Sequence, residues 1–190
     1  MNHANIIRYC NRPFLREGDL TINGKWTSME IAHERCMEMN NLIISRCNER
    51  VKENDLLYNI GDVGFRSKGN RGEGEPEKLQ LYLDKLICKN IIYIEGNHDR
   101  HAKNSFKIIN QKIFIKYGGK RICLVHDPEY ADVNCEINLV GHIHNLWQIK
   151  RIRKGFSFTD CINVGVDVWN FYPVTWNEIW QRYVNWLKTV

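Results

Sequence analysis

Four short polar motifs in this sequence have a composition suited to binding divalent cations. They are Gly61-Asp62, Asn97-His98-Asp99, His126-Asp127 and Gly141-His142-Ile143-His144. Carboxylate, amide and imidazole groups are ligands for hard or borderline metals. Each motif follows a short apolar run that predicts a strand, and the carboxyl ends of strands in an open sheet meet along one edge. The sequence therefore predicts a metal site at that edge. Its predicted ligands are Asp62, Asn97, His126, His142 and His144.

This ligand set fits the hydrolysis of a phosphate ester. The reaction needs a nucleophile at neutral pH and neutralisation of the charge on the phosphoryl oxygens, and two divalent ions about 3.5–4 Å apart supply both. Asp62 is predicted to bridge the two ions, because Gly61 before it lets the backbone turn sharply. His98 is predicted to be the general acid that protonates the leaving oxygen, with Asp99 or a backbone group orienting its ring.

Taken singly, these motifs have ordinary structural explanations. A Gly-Asp pair is usually a turn, and Asn-His-Asp is usually a turn or a helix cap. A lone His-x-His is more often surface or core than metal ligand. The order of the motifs, their placement after strands and their use of four of the seven histidines favour the metal site instead. His142 and His144 also alternate, so in an extended segment both side chains point to the same side.

The predicted elements alternate between helix and strand at first and end in a run of strands. Helical spacing of apolar residues predicts helices over 27–51, 76–88 and 175–187. Strands are predicted over 56–60, 91–94, 113–117, 121–125, 137–140, 147–152 and 156–164, with a Gly118-Gly119 hairpin turn. This order predicts an α/β fold in which two mixed sheets pack face to face with helices outside, in one domain over residues 1–190.

The glycine-rich segment 66–76 is predicted to be a surface loop near the site. It lacks the spacing and the Lys-Ser/Thr ending of a phosphate-binding P-loop. Arg66 in this loop and Arg100 after the Asn-His-Asp motif are the candidates for contacting a substrate phosphate.

Composition narrows the class of protein. The chain has 190 residues, a formal net charge of +5 and a pI ≈ 8.8. This mildly basic balance tolerates a phosphate-bearing partner without favouring nucleic acid. Seven cysteines without a Cys-x-x-Cys pair indicate a reducing cytosol and no cysteine zinc site. No apolar run reaches the roughly 18 residues of a membrane span, so we expect a cytoplasmic protein without a membrane partner. The sequence specifies no oligomeric state.

The order of the motifs resembles the calcineurin-like metallophosphoesterase superfamily, in its small single-domain bacterial and phage-type branch. The resemblance spans nearly the whole chain and includes the segments 5–14, 38–48 and 163–174. It implies a four-layer αββα sandwich with a dinuclear centre and a phosphate-ester substrate. Residue by residue, it implies a bridging Asp62, one ion completed by Asn97, His126 and His142, a second ion bound by His144, and His98 as the proton donor. These ligand types suit manganese, iron, zinc or nickel.

The start of the chain departs from the family pattern. The family begins with a strand that ends in Asp-x-His, two further metal ligands, and no such motif precedes residues 5–14 here. Without it, one ion keeps four protein ligands and the other only two, and the lost strand leaves a sheet edge bare. We therefore expect a chain truncated at its N-terminus relative to the family. Either Met1 is an internal methionine of a longer protein, or the chain is a truncated form that binds one ion or is inactive.

Three functions are consistent with these observations. The first is a metal-dependent phosphoesterase that hydrolyses mono- or diesters. The second is a catalytically silent member of the same family that holds one metal or none and binds a partner. The third is a nuclease acting on DNA or RNA, which requires a basic groove continuous with the site.

Overall fold

The computed structural model describes residues 1–65, 79–99 and 108–190, which form four α-helices and eight β-strands. The helices are α1 (Ala4–Tyr9), α2 (Met29–Arg50), α3 (Leu79–Asp84) and α4 (Trp176–Leu187). The strands are β1 (Leu57–Ile60), β2 (Ile91–Ile94), β3 (Ile108–Asn110), β4 (Lys112–Tyr117), β5 (Lys120–Val125), β6 (Ile137–Val140), β7 (Ile149–Lys154) and β8 (Ser157–Asn163). Arg66, Arg100 and the whole of the predicted loop 66–76 lie outside the described residues.

The strands form two sheets. The first has the order β1-β2-β3 and the second the order β4-β5-β6-β8-β7. In the second sheet, β5, β6 and β8 run parallel, while β4 and β7 are antiparallel to their neighbours. The prediction of two sheets is confirmed, but the first sheet is parallel rather than mixed in the described residues. The chain passes through α3 between β1 and β2, and a helical crossover of this kind joins parallel strands.

Local sequence signals set the ends of several elements. The Ser28 side chain accepts a hydrogen bond at the start of α2, and Thr175 forms a reciprocal capping box with Glu178 at the start of α4. The β4–β5 hairpin turns through Gly118 and Gly119, whose φ angles of 56° and 74° favour glycine. The predicted helices over 27–51 and 175–187 and the hairpin are therefore confirmed.

Buried side chains from both sheets share one core. Its buried members on the strands are Ile94, Ile122, Leu124, Ile137, Leu139 and Ile162. Two residues of α4, Ile179 and Tyr183, pack against the same core. Helices α2 and α3 cover the first sheet, where Ile44 and Tyr82 pack near Leu57 and Ile91. Burial of each such apolar side chain contributes about 1.5–3 kcal/mol, and together they hold the two sheets face to face.

The cysteines behave as the composition predicts. All seven are free, and Cys36, Cys47, Cys88 and Cys123 are buried in the core. Burial raises the pKa of the Cys47 thiol to about 11.

Within the described part of the chain, no helix is both long and apolar enough to cross a membrane.

Candidate metal centre

The four polar motifs lie at the carboxyl ends of four strands drawn from both sheets. Asp62 follows β1 and Asn97 follows β2 in the first sheet, while His126 follows β5 and His142 follows β6 in the second. Because the two sheets share one core, these strand ends meet, and the site lies between the sheets.

The backbone at the site has an unusual conformation. Three residues lie in the left-handed region of φ, which residues other than glycine rarely adopt: Asp62 at 55°, His142 at 64° and His144 at 49°. Such residues concentrate at functional sites, where the surrounding structure enforces them. Gly61 and Gly96 allow the loops to approach, because a Cβ on Gly61 would overlap the His126 ring and one on Gly96 would overlap Asp62.

Four side chains, here called the converged group, point at one another: Asp62, Asn97, His126 and His142. His126 Nε2 lies 3.1 Å from Asp62 Oδ2, 3.1 Å from Asn97 Oδ1 and 3.3 Å from His142 Nδ1. Asn97 Oδ1 lies 3.0 Å from His142 Nδ1. One possible ligand atom from each of Asp62, His126 and His142 lies within 4.8 Å of the other two. The structure therefore brings together four of the five predicted ligands.

The chemistry of these atoms fits a cation. His126 Nδ1 lies 2.9 Å from the Ile60 carbonyl, to which it donates, so Nε2 presents its lone pair to the group. Lone pairs of Asp62, Asn97 and His126 then face one another, an arrangement that a cation or a proton must stabilise. Burial lowers the pKa of His126, but the hydrogen bond with Asp62 and the charge of Asp62, together with the Ile60 carbonyl and the charge of Asp99, outweigh burial, and the net shift is upward. Burial raises the pKa of Asp62, and His126 more than offsets this, lowering it to about 2.

Asp99 holds the two loops together. Its carboxylate accepts hydrogen bonds from the backbone N–H groups of Asp62 at 2.7 Å, Val63 at 2.9 Å and Gly96 at 2.9 Å. Burial, together with the charge of Asp62, raises the pKa of this carboxyl group. The predicted contact with the His98 ring is not among the hydrogen bonds of Asp99 in the described residues. Its geometry is that of a clamp on the β1 and β2 loops.

His98 lies beside the converged group. Its backbone N–H donates to Asp62 Oδ1 at 2.9 Å, which ties His98 to the loop after β1. The ring of Phe65 meets the His98 ring edge-to-face at 4.9 Å, and His3 stacks on Phe65 at 4.1 Å. Burial lowers the pKa of His3 to about 3, so His3 is neutral at physiological pH. His98 therefore has an aromatic wall on one side.

His144 is the predicted ligand that the structure turns elsewhere. It lines the same cavity of about 260 Å³ as Asp62 and His126, but its Nδ1 faces Asp167 Oδ2 at 3.7 Å. Asp167 is also paired with Arg12. Neither Asp167 nor Arg12 is among the site residues that the sequence predicts. Asp167 lies four residues beyond the end of β8, which runs parallel to β6, so the strand-end rule that selected Asp62 could also have selected it.

Comparison with known proteins gives one clear relative and one solved structure of similar fold. The chain is 31% identical over 178 residues to the uncharacterized protein MJ1445 of Methanocaldococcus jannaschii, covering 92% of this chain and 81% of that protein. A protein of unknown function from Aquifex aeolicus, AQ665, has a TM-score of 0.58 at 20% identity, covering 94% of this chain and 92% of that one. YfcE, a phosphoesterase from E. coli, is a partial likeness, with a TM-score of 0.45 at 20% identity over 68% of this chain and 72% of that one. No protein-family model matches the chain.

Sequence relationship and architecture together place the protein. The identity to MJ1445 extends over most of both chains. The two-sheet arrangement carries the motifs at strand ends in the order that the resemblance implied. The chain therefore belongs to the same family as the M. jannaschii protein MJ1445, and it shares its fold with AQ665 of A. aeolicus.

Proposed function

We propose that this protein is a metal-dependent phosphoesterase whose active site is the converged group with His98 beside it. The observation that carries the proposal is the convergence of Asp62, Asn97 and His126. Their lone pairs face one another, with His126 Nε2 lying 3.1 Å from Asp62 Oδ2 and 3.1 Å from Asn97 Oδ1, so a single cation could bind all three. A divalent cation bound there supplies a nucleophilic water at neutral pH and neutralises charge on the phosphoryl oxygens.

The residues of the chain have separate roles in this proposal. Asp62 supplies the negative charge of the group, while Asn97, His126 and His142 complete the ligand set. Asp99 fixes the two loops through three backbone amides, so the ligands are held before any cation binds. His98 donates a proton to the leaving oxygen, since it is tied to Asp62 through its backbone and is not a member of the ligand set.

A second cavity provides room for the remainder of a substrate. It has a volume of about 490 Å³ and adjoins Asn97 and His126, with Gln111, Lys112 and Tyr130 along its walls. A phosphate placed on the converged group would therefore have one ester substituent directed into a space with both polar and apolar walls.

The proton-donor role is tested by His98→Asn. We expect turnover of an aryl phosphodiester to fall by about 10²–10⁴ with bound metal per chain unchanged, because His98 acts on the leaving oxygen rather than on the cation. His33→Asn is the matched control, since His33 is a half-buried histidine on α2 outside the site. Equal turnover in His98→Asn and the parent protein would remove the proposed role.

A second candidate function follows from the position of His144. Among residues 1–65, 79–99 and 108–190, one cluster of histidine and carboxylate side chains has metal-binding spacing, and His144 is not part of it. This favours a single-ion protein, which includes a catalytically silent form that binds a partner. Counting metal per chain while assaying aryl phosphomonoesters and diesters separates the two. Bound metal without hydrolysis of either ester class supports the silent form, and hydrolysis excludes it.

A further inference from the structure

Asp167 is held in a fixed orientation by Arg12. Arg12 donates from Nε to Asp167 Oδ1 at 2.7 Å and from Nη2 to Oδ2 at 2.8 Å. The two side chains are 8% and 6% exposed. A two-point contact between a guanidinium and a carboxylate fixes the plane of both groups. Asp167 therefore cannot rotate freely to become a metal ligand itself.

Arg12 is in turn fixed by its surroundings. Its Nη1 lies 2.9 Å from Met39 Sδ on α2, and its guanidinium is 5.7 Å from the centre of the Phe171 ring. The pair joins the segment after α1 to the segment after β8, which are 155 residues apart in sequence. A residue near the start of the chain, Arg12, therefore holds the Asp167 carboxylate rigidly beside the site.

The backbone of His144 is held in place, and its ring faces the fixed carboxylate of Asp167. Asn163 Nδ2 donates to the His144 carbonyl at 2.6 Å, which fixes the loop that carries the histidine. The ring presents Nδ1 to Asp167 Oδ2 at 3.7 Å, and the side chain is 40% exposed. A negative oxygen at this position favours the tautomer that carries its proton on Nδ1, and the lone pair is then on Nε2.

The His126 ring also has an oxygen atom beside its Nδ1, but there the oxygen is a backbone carbonyl. There the Ile60 carbonyl accepts from Nδ1 at 2.9 Å, and Nε2 faces the converged group. His144 lines the cavity that Asp62 and His126 also line. An outer partner that fixes one ring nitrogen so that the other binds a cation is a common feature of histidine metal ligands.

We propose that Asp167, locked by Arg12, is a positioning residue that keeps His144 in the Nδ1–H tautomer and so makes its Nε2 available to a cation in the cavity. This inference rests on the proposed function only in assigning a catalytic role to the bound cation. The orientation of His144 is a property of the metal-free chain and can be measured without activity.

The direct test is the tautomer of His144 in the metal-free protein, from the ¹⁵N shifts of its ring at a pH where the imidazole is neutral. His144→Gln identifies the signal by its disappearance. The parent protein should show the proton on Nδ1, and Asp167→Asn should lose that preference. A parent His144 protonated on Nε2 would overturn the proposal, and this outcome does not depend on the folding of Asp167→Asn.

Cation affinity gives the second readout. Asp167→Asn should weaken Mn²⁺ binding by about 10- to 100-fold, the usual effect of removing an outer partner of a metal ligand. The matched control is Asp19→Asn, because Asp19 accepts from Arg35 at 2.7 and 3.1 Å in a pair that is 4% and 7% exposed. That variant should lose folding stability but keep the His144 tautomer and the Mn²⁺ affinity. Equal loss of affinity in both variants would show a purely structural role.

These measurements separate the two proposals. If no phosphate ester is hydrolysed but the tautomer and the affinity depend on Asp167, the proposed function fails and the positioning role stands. If hydrolysis is observed while Asp167→Asn leaves tautomer and affinity unchanged, the positioning role fails and the proposed function stands.

Discussion

The two sides of the site differ in what their polar atoms face. In the converged group, Asp62, Asn97 and His126 direct lone pairs at one another, so that side is completed by a cation or a proton. On the other side, His144 faces the Asp167 carboxylate, which is already paired with Arg12. His142 and His144 are two residues apart in one motif, yet they lie on different sides. Closeness in sequence therefore places both histidines near the site without determining which group each one faces.

The largest expected difference between the sides is in cation binding. Asp62→Asn removes the negative charge of the converged group, and we expect it to reduce bound Mn²⁺ to near zero. His144→Gln leaves that group intact and should retain an ion, because four ligands stay in place, although its affinity should fall at least as far as in Asp167→Asn. Metal per chain, measured after dialysis, checks both. Retention of Mn²⁺ by Asp62→Asn at the parent level would contradict the assignment of the binding side.

The next effect concerns the clamp under the converged group. Asp99→Ala leaves three backbone N–H groups without their acceptor, so we expect the free energy of unfolding to fall by about 3 kcal/mol or more. Cation affinity should fall as well, because Asp62 and Asn97 lie on the two loops that Asp99 joins. Urea unfolding and Mn²⁺ titration measure the two changes.

Asp127→Ala is the control for this clamp. Asp127 also follows a strand, but its Oδ1 accepts one backbone N–H, that of Glu129, at the start of a 3-10 helix. Its loss should cost about 1 kcal/mol, as for other helix caps. Similar losses for Asp99→Ala and Asp127→Ala would rule out the clamp.

The smallest expected effect is an acid dependence that both sides share. The pKa values of Asp62 and Asp167 both fall to about 2 from an ordinary value of 3.8. Burial raises the pKa of Asp167, but His144 and Arg12 outweigh it. Because each folded pKa lies below the unfolded one, each carboxylate stabilises the metal-free protein above pH 3.8 by about 2 kcal/mol. That contribution is lost as the pH falls through about 2.

Asp167→Asn should remove one of these two contributions. The free energy of unfolding of this variant should therefore vary less steeply with pH between about pH 4 and pH 2 than that of the parent protein. Urea unfolding at several pH values measures the slope. An unchanged slope would show that Asp167 is not ionised by its pairing with Arg12.

Most of the regular elements could be predicted from the sequence, since their signals are local. The helix over 27–51 and the strands β1, β2, β5 and β6 follow from apolar periodicity, and the hairpin follows from Gly118-Gly119. Helix α1 and strand β3 were not predicted, because six and three residues are too few for a periodic signal. The place of α4 within the shared core is set by packing, which the helix's own residues do not reveal.

The chemistry of the site could be predicted further than its geometry. The types and order of Asp62, Asn97, His126 and His142 are properties of the sequence, and strand ends meet in any open sheet of this kind. The three amides that bind Asp99 come from two loops, and no local pattern specifies them. The pairing of Arg12 with Asp167 joins residues 155 positions apart.

The sequence by itself determined which residues are candidates for the proposed chemistry, because ligand type and strand-end position are encoded within a few neighbouring residues. Only the tertiary structure decided how each polar group is used, because that depends on contacts between segments far apart in the chain. Asp62 faces the converged group while Asp99 binds backbone amides, although both follow strands of the same sheet. His144 faces a buried carboxylate whose guanidinium partner lies near the start of the chain.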